Sequence, residues 1–231
     1  MLTHFFKALI LSTAILASNA AMAVPTWTLT VTGTIGAGND ERGTFGVPGR
    51  DLAGLAYTQS ITTSVDPADY LRFRDDDIAF HELIGGGVSF STTVTVDGVA
   101  ATFSVLHSIT SKQYLVNYTP EYGEPDTVLS TQFGYMADGN YLQSNVTVEA
   151  YGQDILDSIE FGDPITAILA PTASAFSEFN LGMPNTTNFI GTIETLAVTG
   201  TEVPEPASLA LLGVGLLGAT VMRRRAQRSP R

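Results

Sequence analysis

Three carboxylates in a row, Asp75-Asp76-Asp77, follow Arg72-Phe73-Arg74 and precede Glu82. Ca²⁺ takes about six to eight hard oxygen ligands, and Asp75, Asp77 and Glu82 are the acids that would supply them. The run lacks the alternating acidic order, closed by glycine, of a loop that wraps an ion. In a strand Asp75 and Asp77 share a face and Asp76 does not. With Arg72 and Arg74 beside them, the acids read more simply as a solvated turn with local charge partners. Ca²⁺ on these weak ligands is the one cofactor the residues suggest; no other metal ligand and no cofactor-binding residue is assigned.

Other chemistries find less support. His81 lies beside Glu82 and His107 at a strand end, but neither H-x-H nor H-E-x-x-H spacing is present, so each reads as an ordinary surface or core histidine. There is no G-x-S-x-G elbow for a nucleophilic serine. Glycoside hydrolysis needs two carboxyl groups about 5–10 Å apart. Glu149, Asp154, Asp157 and Glu160 are candidates, with nothing in their spacing to choose among them. Gly36-Ala37-Gly38-Asn39-Asp40-Glu41 superficially resembles a phosphate loop, but it has acids where an anion would sit. No catalytic residue is assigned, and the chain reads as a non-enzyme.

Aromatics offer a binding chemistry instead. Tyr114, Tyr118, Tyr122, Tyr135, Tyr141 and Tyr151 fall in or beside expected strands and turns. Exposed tyrosines next to Asn, Asp or Gln can hold sugars by stacking and hydrogen bonding, and 120–126 would form a rim. Burial in the core is the plainer reading of the same residues. Asn117, Asn145 and Asn185 each head an N-x-Thr sequence.

Composition narrows the partners. Residues 24–202 hold all but one of the 23 acidic residues and only five basic ones, Arg42, Arg50, Arg72, Arg74 and Lys112. Nucleic acid and anionic membrane surfaces, which need clustered cations, are excluded as partners of this region. There is no cysteine, so disulfides, thiolate metal sites and cysteine nucleophiles are excluded too. About 180 residues suffice for one domain with a real core.

Period-two patterning dominates that domain. Thr26–Thr32 alternates strictly, with Trp27, Leu29 and Val31 on one face. Residues 88–96 and 99–106 flank Asp97-Gly98, a strong hairpin signal. Further strands are expected at 55–64, 112–118, 128–136, 141–151, 175–181 and 189–198. Asp66-Pro67 and Asp163-Pro164 resemble helix starts, each good for a turn or two. Residues 33–54, rich in Gly and charge, read as a loop. The pattern predicts an all-β, antiparallel β-sandwich or jelly-roll-like domain, with a single-sheet barrel as the alternative.

The ends are different. Lys7 precedes an apolar run and Ala21-Met22-Ala23 follows it, the order of a secretory signal peptide cut after Ala23. At the other end Val203-Pro204-Glu205-Pro206 leads into the apolar stretch 207–222 and then Arg223-Arg224-Arg225. Sixteen residues are short of the ~20 of a full span, but flanking arginines can snorkel. The stretch is expected to be one C-terminal transmembrane helix, with its basic tail inside and residues 24–202 outside. The two prolines hold the strip before it extended and open to a protease.

Val203 through Ser208, V-P-E-P-A-S, with the apolar segment and arginine cluster behind it, resembles the PEP-CTERM sorting signal of Gram-negative bacteria. The resemblance covers about the last thirty residues, and a signal peptide usually accompanies it. It implies processing by signal peptidase and by an exosortase, in organisms that make extracellular polysaccharide. The chain is thus expected to divide into a signal peptide (1–23), an extracytoplasmic domain (24–202) and a sorting signal (203–231). The expected role is a sorted surface or matrix protein, structural or glycan-binding and associated with exopolysaccharide. The alternatives are a secreted carbohydrate-active enzyme and a Ca²⁺-dependent adhesin.

Overall fold

The computed structural model describes residues 26–64, 70–74, 78–85, 87–118, 124–159, 163–182 and 186–201, with 70–74 and 78–85 described by backbone alone. The signal segment, the 207–222 span, Asp66-Pro67 and Asp75–Asp77 lie outside the described residues. The described chain is all-β. Its strands are β1 (Thr26–Asp40), β2 (Arg50–Asp51), β3 (Ala56–Ser64), β4 (Tyr70–Arg74), β5 (Ile78–Gly85), β6 (Phe90–Val96) and β7 (Val99–Val105). They continue as β8 (Ser108–Tyr118), β9 (Asp126–Tyr135), β10 (Tyr141–Ala150), β11 (Ile165–Ile168), β12 (Ser174–Leu181) and β13 (Thr187–Thr201).

All pairings are antiparallel and belong to one sheet, in the order β4-β5-β8-β9-β10-β12-β13-β1-β3-β6-β7. The short strands β2 and β11 attach to β1 and β13. A sandwich of two separate sheets is therefore corrected to one continuous sheet that curls until its halves face each other. The physical reason is the β1–β13 ladder, which carries hydrogen bonding around the corner where two sheets would part. It shifts register at Thr32/Gly33 and Ile35/Ala37, and such bulges sharpen bend and twist. A side chain could not replace Gly33: a Cβ there would lie 1.8 Å from the Thr192 carbonyl oxygen. The outer strands β4 and β7 do not pair with each other among the described residues, so the sheet is not a closed barrel.

The loop expected at 33–54 is shorter than read. β1 runs on to Asp40, and Phe45 and Leu52 are wholly buried. Asp40 organises the turn, accepting from the backbone of Thr44 (2.8 Å) and Phe45 (2.6 Å) and from the Thr187 hydroxyl (2.7 Å). The helical turn expected after Asp163-Pro164 is also corrected. Ile165–Ile168 is β11, pairing Ile165 with Val198, because its β-branched residues suit an available ladder better than a solvated turn. The Asp97-Gly98 hairpin forms as expected, with both residues at positive φ.

The inner faces meet in one apolar cluster. Phe179 is its hub, stacking on Phe189 at 5.6 Å and touching Phe103 at 5.5 Å and Phe45 edge-on at 6.2 Å. Phe179 alone thus joins β12, β13, β7 and the 41–49 turn. Polar bridges cross the same interior. Gln59 on β3 donates to Ser144 on β10 (2.8 Å), and Gln113 on β8 donates to Thr63 on β3 (3.1 Å). On the outside, hydroxyls pair across strands: Thr28 with Thr62 and Thr30 with Ser60 at 2.9 Å, and Thr32 with Thr195 at 2.6 Å.

Tyr57 ties three strands together. Its hydroxyl accepts from Ser177 (2.7 Å) and donates to the Thr192 carbonyl (3.2 Å). Burial pushes its pKa up to about 12, with a smaller upward push from Glu194; the Ser177 hydrogen bond opposes both. From about pH 10 to about 12 an unfolded chain has lost this proton and the folded one keeps it, so stability falls as pH rises through that window. Urea unfolding at both ends of the window should lose about 2–3 kcal/mol more in the wild type than in Tyr57→Phe. Equal losses in the two proteins would remove this role.

Candidate binding face

Strands β9, β10 and β12 turn alternate residues outward, and their register sets those residues in rows. Tyr135 stands opposite Tyr141, Phe133 opposite Gln143, and Gln143 opposite Asn180. The Phe133 ring lies 6.1 Å from Tyr135 and 6.2 Å from Tyr141, tilted 59° and 52° to them, so three half-exposed to exposed rings cluster on one face. Tyr135 is 57% exposed.

Beside the ring cluster is a polar lattice. The Tyr141 hydroxyl donates to Asn180 Oδ1 at 3.0 Å. Glu178 accepts from the Gln143 amide at 3.2 Å and from the Asn145 amide at 3.0 Å, both on one carboxylate oxygen. Each side chain is therefore held in place by a neighbour while the rings stay open. Phe176 and Ile190, 44% and 55% exposed, continue the face on β12 and β13. Such a surface offers ring faces for the C–H side of a sugar, and amide and carboxylate groups for its hydroxyls. It has no cluster of cations for phosphate.

The expected aromatics are thereby sorted. Tyr135 and Tyr141 come together. Tyr114 sits on β8, its ring 5.3 Å from Lys112 Nζ. Tyr118 lines a cleft at the opposite end of the sheet, and Tyr151 donates to Glu149 at 3.3 Å. Tyr122 lies outside the described residues. Phe133, Gln143, Glu178 and Asn180 are not singled out by the sequence, and Asn145 is marked there only as a sequon. The signal was there in β10, where Tyr141, Gln143, Asn145, Thr147 and Glu149 alternate with buried residues. The sequon nitrogens of Asn117 and Asn145 are engaged, donating to the Leu156 carbonyl and to Glu178. Asn185 lies outside the described residues.

The cleft near Tyr118 encloses about 220 Å³ and is lined by Glu124, Asp126, Gln153 and Asp154 among others. Asp126 is 4% exposed. Burial raises its pKa, against the pull of three backbone N–H groups and with a further upward push from Asp154. Both its oxygens are occupied: one accepts from Tyr118 (3.1 Å), the other from Ile155 (2.8 Å) and Leu156 (3.0 Å). Asp126 thus clamps the 151–159 segment to the ends of β8 and β9. Of the other carboxylates considered, Asp154 and Asp157 are exposed and Glu160 lies outside the described residues.

The proposed Ca²⁺ ligands are not shown together. Asp75 and Asp77 lie outside the described residues, between β4 and β5. Glu82 pairs with Leu71, three residues beyond Ala79, the partner of Arg74, which is about 10 Å along the ladder. Among the described residues no three His, Cys, Asp or Glu side chains are placed to share a metal ion.

The sorting residues Val203–Pro206 and Arg223–Arg225, and the cleavage residues Ala21 and Ala23, also lie outside the described residues. Residues 202–225 match the family model of the PEP-CTERM protein-sorting motif. The chain carries a PEP-CTERM signal. Its protein is accordingly exported, sorted towards the cell envelope and processed by an exosortase. Neither a curated protein nor a solved structure matches the chain. Among the described residues no helix is long and apolar enough to cross a membrane.

The Asp126 clamp carries a direct expectation. Asp126→Ala leaves three backbone N–H groups without their acceptor and should lower stability by about 2–4 kcal/mol in urea unfolding. Asp126→Asn keeps one acceptor oxygen and should lose less. Because burial raises its pKa, the contribution of Asp126 is greatest in acid and declines as pH climbs past the ordinary carboxylate range. An Asp126→Ala protein as stable as the wild type would dispose of the clamp.

Proposed function

We propose that this PEP-CTERM protein is a non-enzymatic component of an extracellular polysaccharide matrix and holds glycan on the outer face of β9, β10 and β12. The observation that carries the reading is the cluster of Phe133, Tyr135 and Tyr141 rings on one face, with Tyr135 the most exposed, beside the fixed amides of Gln143 and Asn180. The face is shallow, as suits a polymer that must pass across it. A carboxylate-pair hydrolase favours a cleft with two free acids, and using Asp126 for that purpose would break its clamp.

In this reading the signal peptide is removed after Ala23 in a Gram-negative host. The 207–222 helix anchors the chain in the inner membrane, with residues 24–202 outside, until an exosortase cuts near Pro204-Glu205-Pro206. The protein then passes to the surface or the matrix.

Replacing Pro204-Glu205-Pro206 with alanines should leave the unprocessed form in the membrane fraction of the native host, seen as a larger band on immunoblots. Unchanged processing would end the sorting part of the reading. For the face, Tyr135→Ala and Tyr141→Ala together should reduce co-sedimentation with the host's extracellular polysaccharide at least about fivefold. Each stacked ring is expected to be worth about 0.5–1.5 kcal/mol. If the double variant, with an unchanged unfolding midpoint, still sediments with the polysaccharide, the glycan face is wrong.

A further inference from the structure

The two edges of the sheet are unlike. The β4 edge, Tyr70–Arg74, carries Arg72 and Arg74, and charge on an edge strand is a common guard against pairing with other chains. The β7 edge, Val99-Ala100-Ala101-Thr102-Phe103-Ser104-Val105, has no charge, no proline and no bulge. In its hairpin with β6 the pair next to the two-residue turn, Val96 and Val99, is hydrogen-bonded, and the pairs alternate from there. Ala100, Thr102 and Ser104 therefore point their N–H and C=O groups away from β6. All three are exposed and have no further strand beside them among the described residues.

We propose that β7 is a self-association edge, where a second copy of this chain pairs antiparallel with β7 about a two-fold axis through Thr102. One register uses every free group: Thr102 opposite Thr102, and Ala100 opposite Ser104 twice. Charge favours another copy at this edge over the β4 edge. The chain carries a net charge of −12, which opposes most contacts between copies. From Phe90 to Val105 the one charged residue is Asp97, and Arg50 neutralises it at 2.6 Å. Packing favours it as well. Thr93 and Thr102 already share a hydroxyl hydrogen bond of 2.9 Å, and the two-fold carries that row directly into the same row of the second copy. Val99, 41% exposed, comes opposite Val105 of the other copy. The guarded β4 edge stops further growth, so the product is a closed pair and not a fibre.

The absence of cysteine makes the register directly testable on the full chain. Residues facing across a hydrogen-bonded pair stand about 5.5 Å apart at Cα, within reach of a disulfide. Thr102→Cys should cross-link to a dimer under mild oxidation. Ala100→Cys and Ser104→Cys alone should not, since each would lie about 14 Å from its own mate. The Ala100→Cys/Ser104→Cys double variant should cross-link again. Sedimentation velocity should show a concentration-dependent dimer for the wild type. Thr102→Lys, which sets two like charges face to face on exposed positions, should give a monomer with an unchanged unfolding midpoint. A wild-type monomer at all concentrations, growth beyond a dimer, or equal cross-linking at 100, 102 and 104 would each overturn the proposal.

Discussion

The antiparallel pairing of β1 with β13 is the constraint on which the sheet depends. These two 15-residue strands come from opposite ends of the described chain and run side by side from Thr26 opposite Thr201 to Asp40 opposite Thr187. Everything else is hung on one or the other. β3, β6 and β7 continue outward from β1; β12, β10, β9, β8, β5 and β4 continue outward from β13. Without this ladder there would be two sheets. With it there is one, and the bulges near Gly33 and Gly36 let it fold over an apolar interior. Pairings so distant in sequence give the fold a high contact order, which slows folding.

The two surfaces of this sheet divide the work. Inside, the Phe179 cluster supplies the apolar contact, while Gln59 and Gln113 reach across to Ser144 and Thr63. These bridges fix how one half of the sheet sits over the other, which apolar contacts alone would leave less defined. Outside, on the β1 side, rows of Thr and Ser hydroxyls satisfy one another and leave a neutral, regular surface. On the β10 side the outward residues are rings and amides. An acidic protein thus keeps its β1-side surface neutral and gives its β10 side rings and amides gathered around the Glu178 carboxylate.

Much of this was legible in the sequence, for a simple reason. Where one face of a strand is buried and the other wet, residues alternate, and β1, β6, β7, β10 and β12 can be read from that alternation. The Asp97-Gly98 turn was equally plain. The errors came where long-range pairing overruled local preference. Gly36-Ala37-Gly38-Asn39-Asp40 looks like a loop because these residues favour turns. It is strand because β13 lies so close that a Cβ on Gly38 would stand 2.6 Å from the Asn188 carbonyl oxygen. Ile165–Ile168 looks like a helix start until the free stretch of β13 beside it is known. The binding face was half visible. Tyr135 and Tyr141 could be suspected, but Glu178 and Asn180 join them through a register that no local pattern gives. Asp126 read as part of a binding rim and proved to hold the chain together.

Thr26 and Thr201 are neighbours at one end of the central ladder, and the sorting motif begins at the next residue, 202. A force applied at Thr201 along β13 would act on a strand at the centre of the sheet. That strand is flanked on both sides, by β1 and by β12 and β11 in turn. Load therefore spreads as shear over many hydrogen bonds at once, where a strand at the rim would unzip one bond at a time. The strand that leads to the sorting motif is thus the one hardest to peel away.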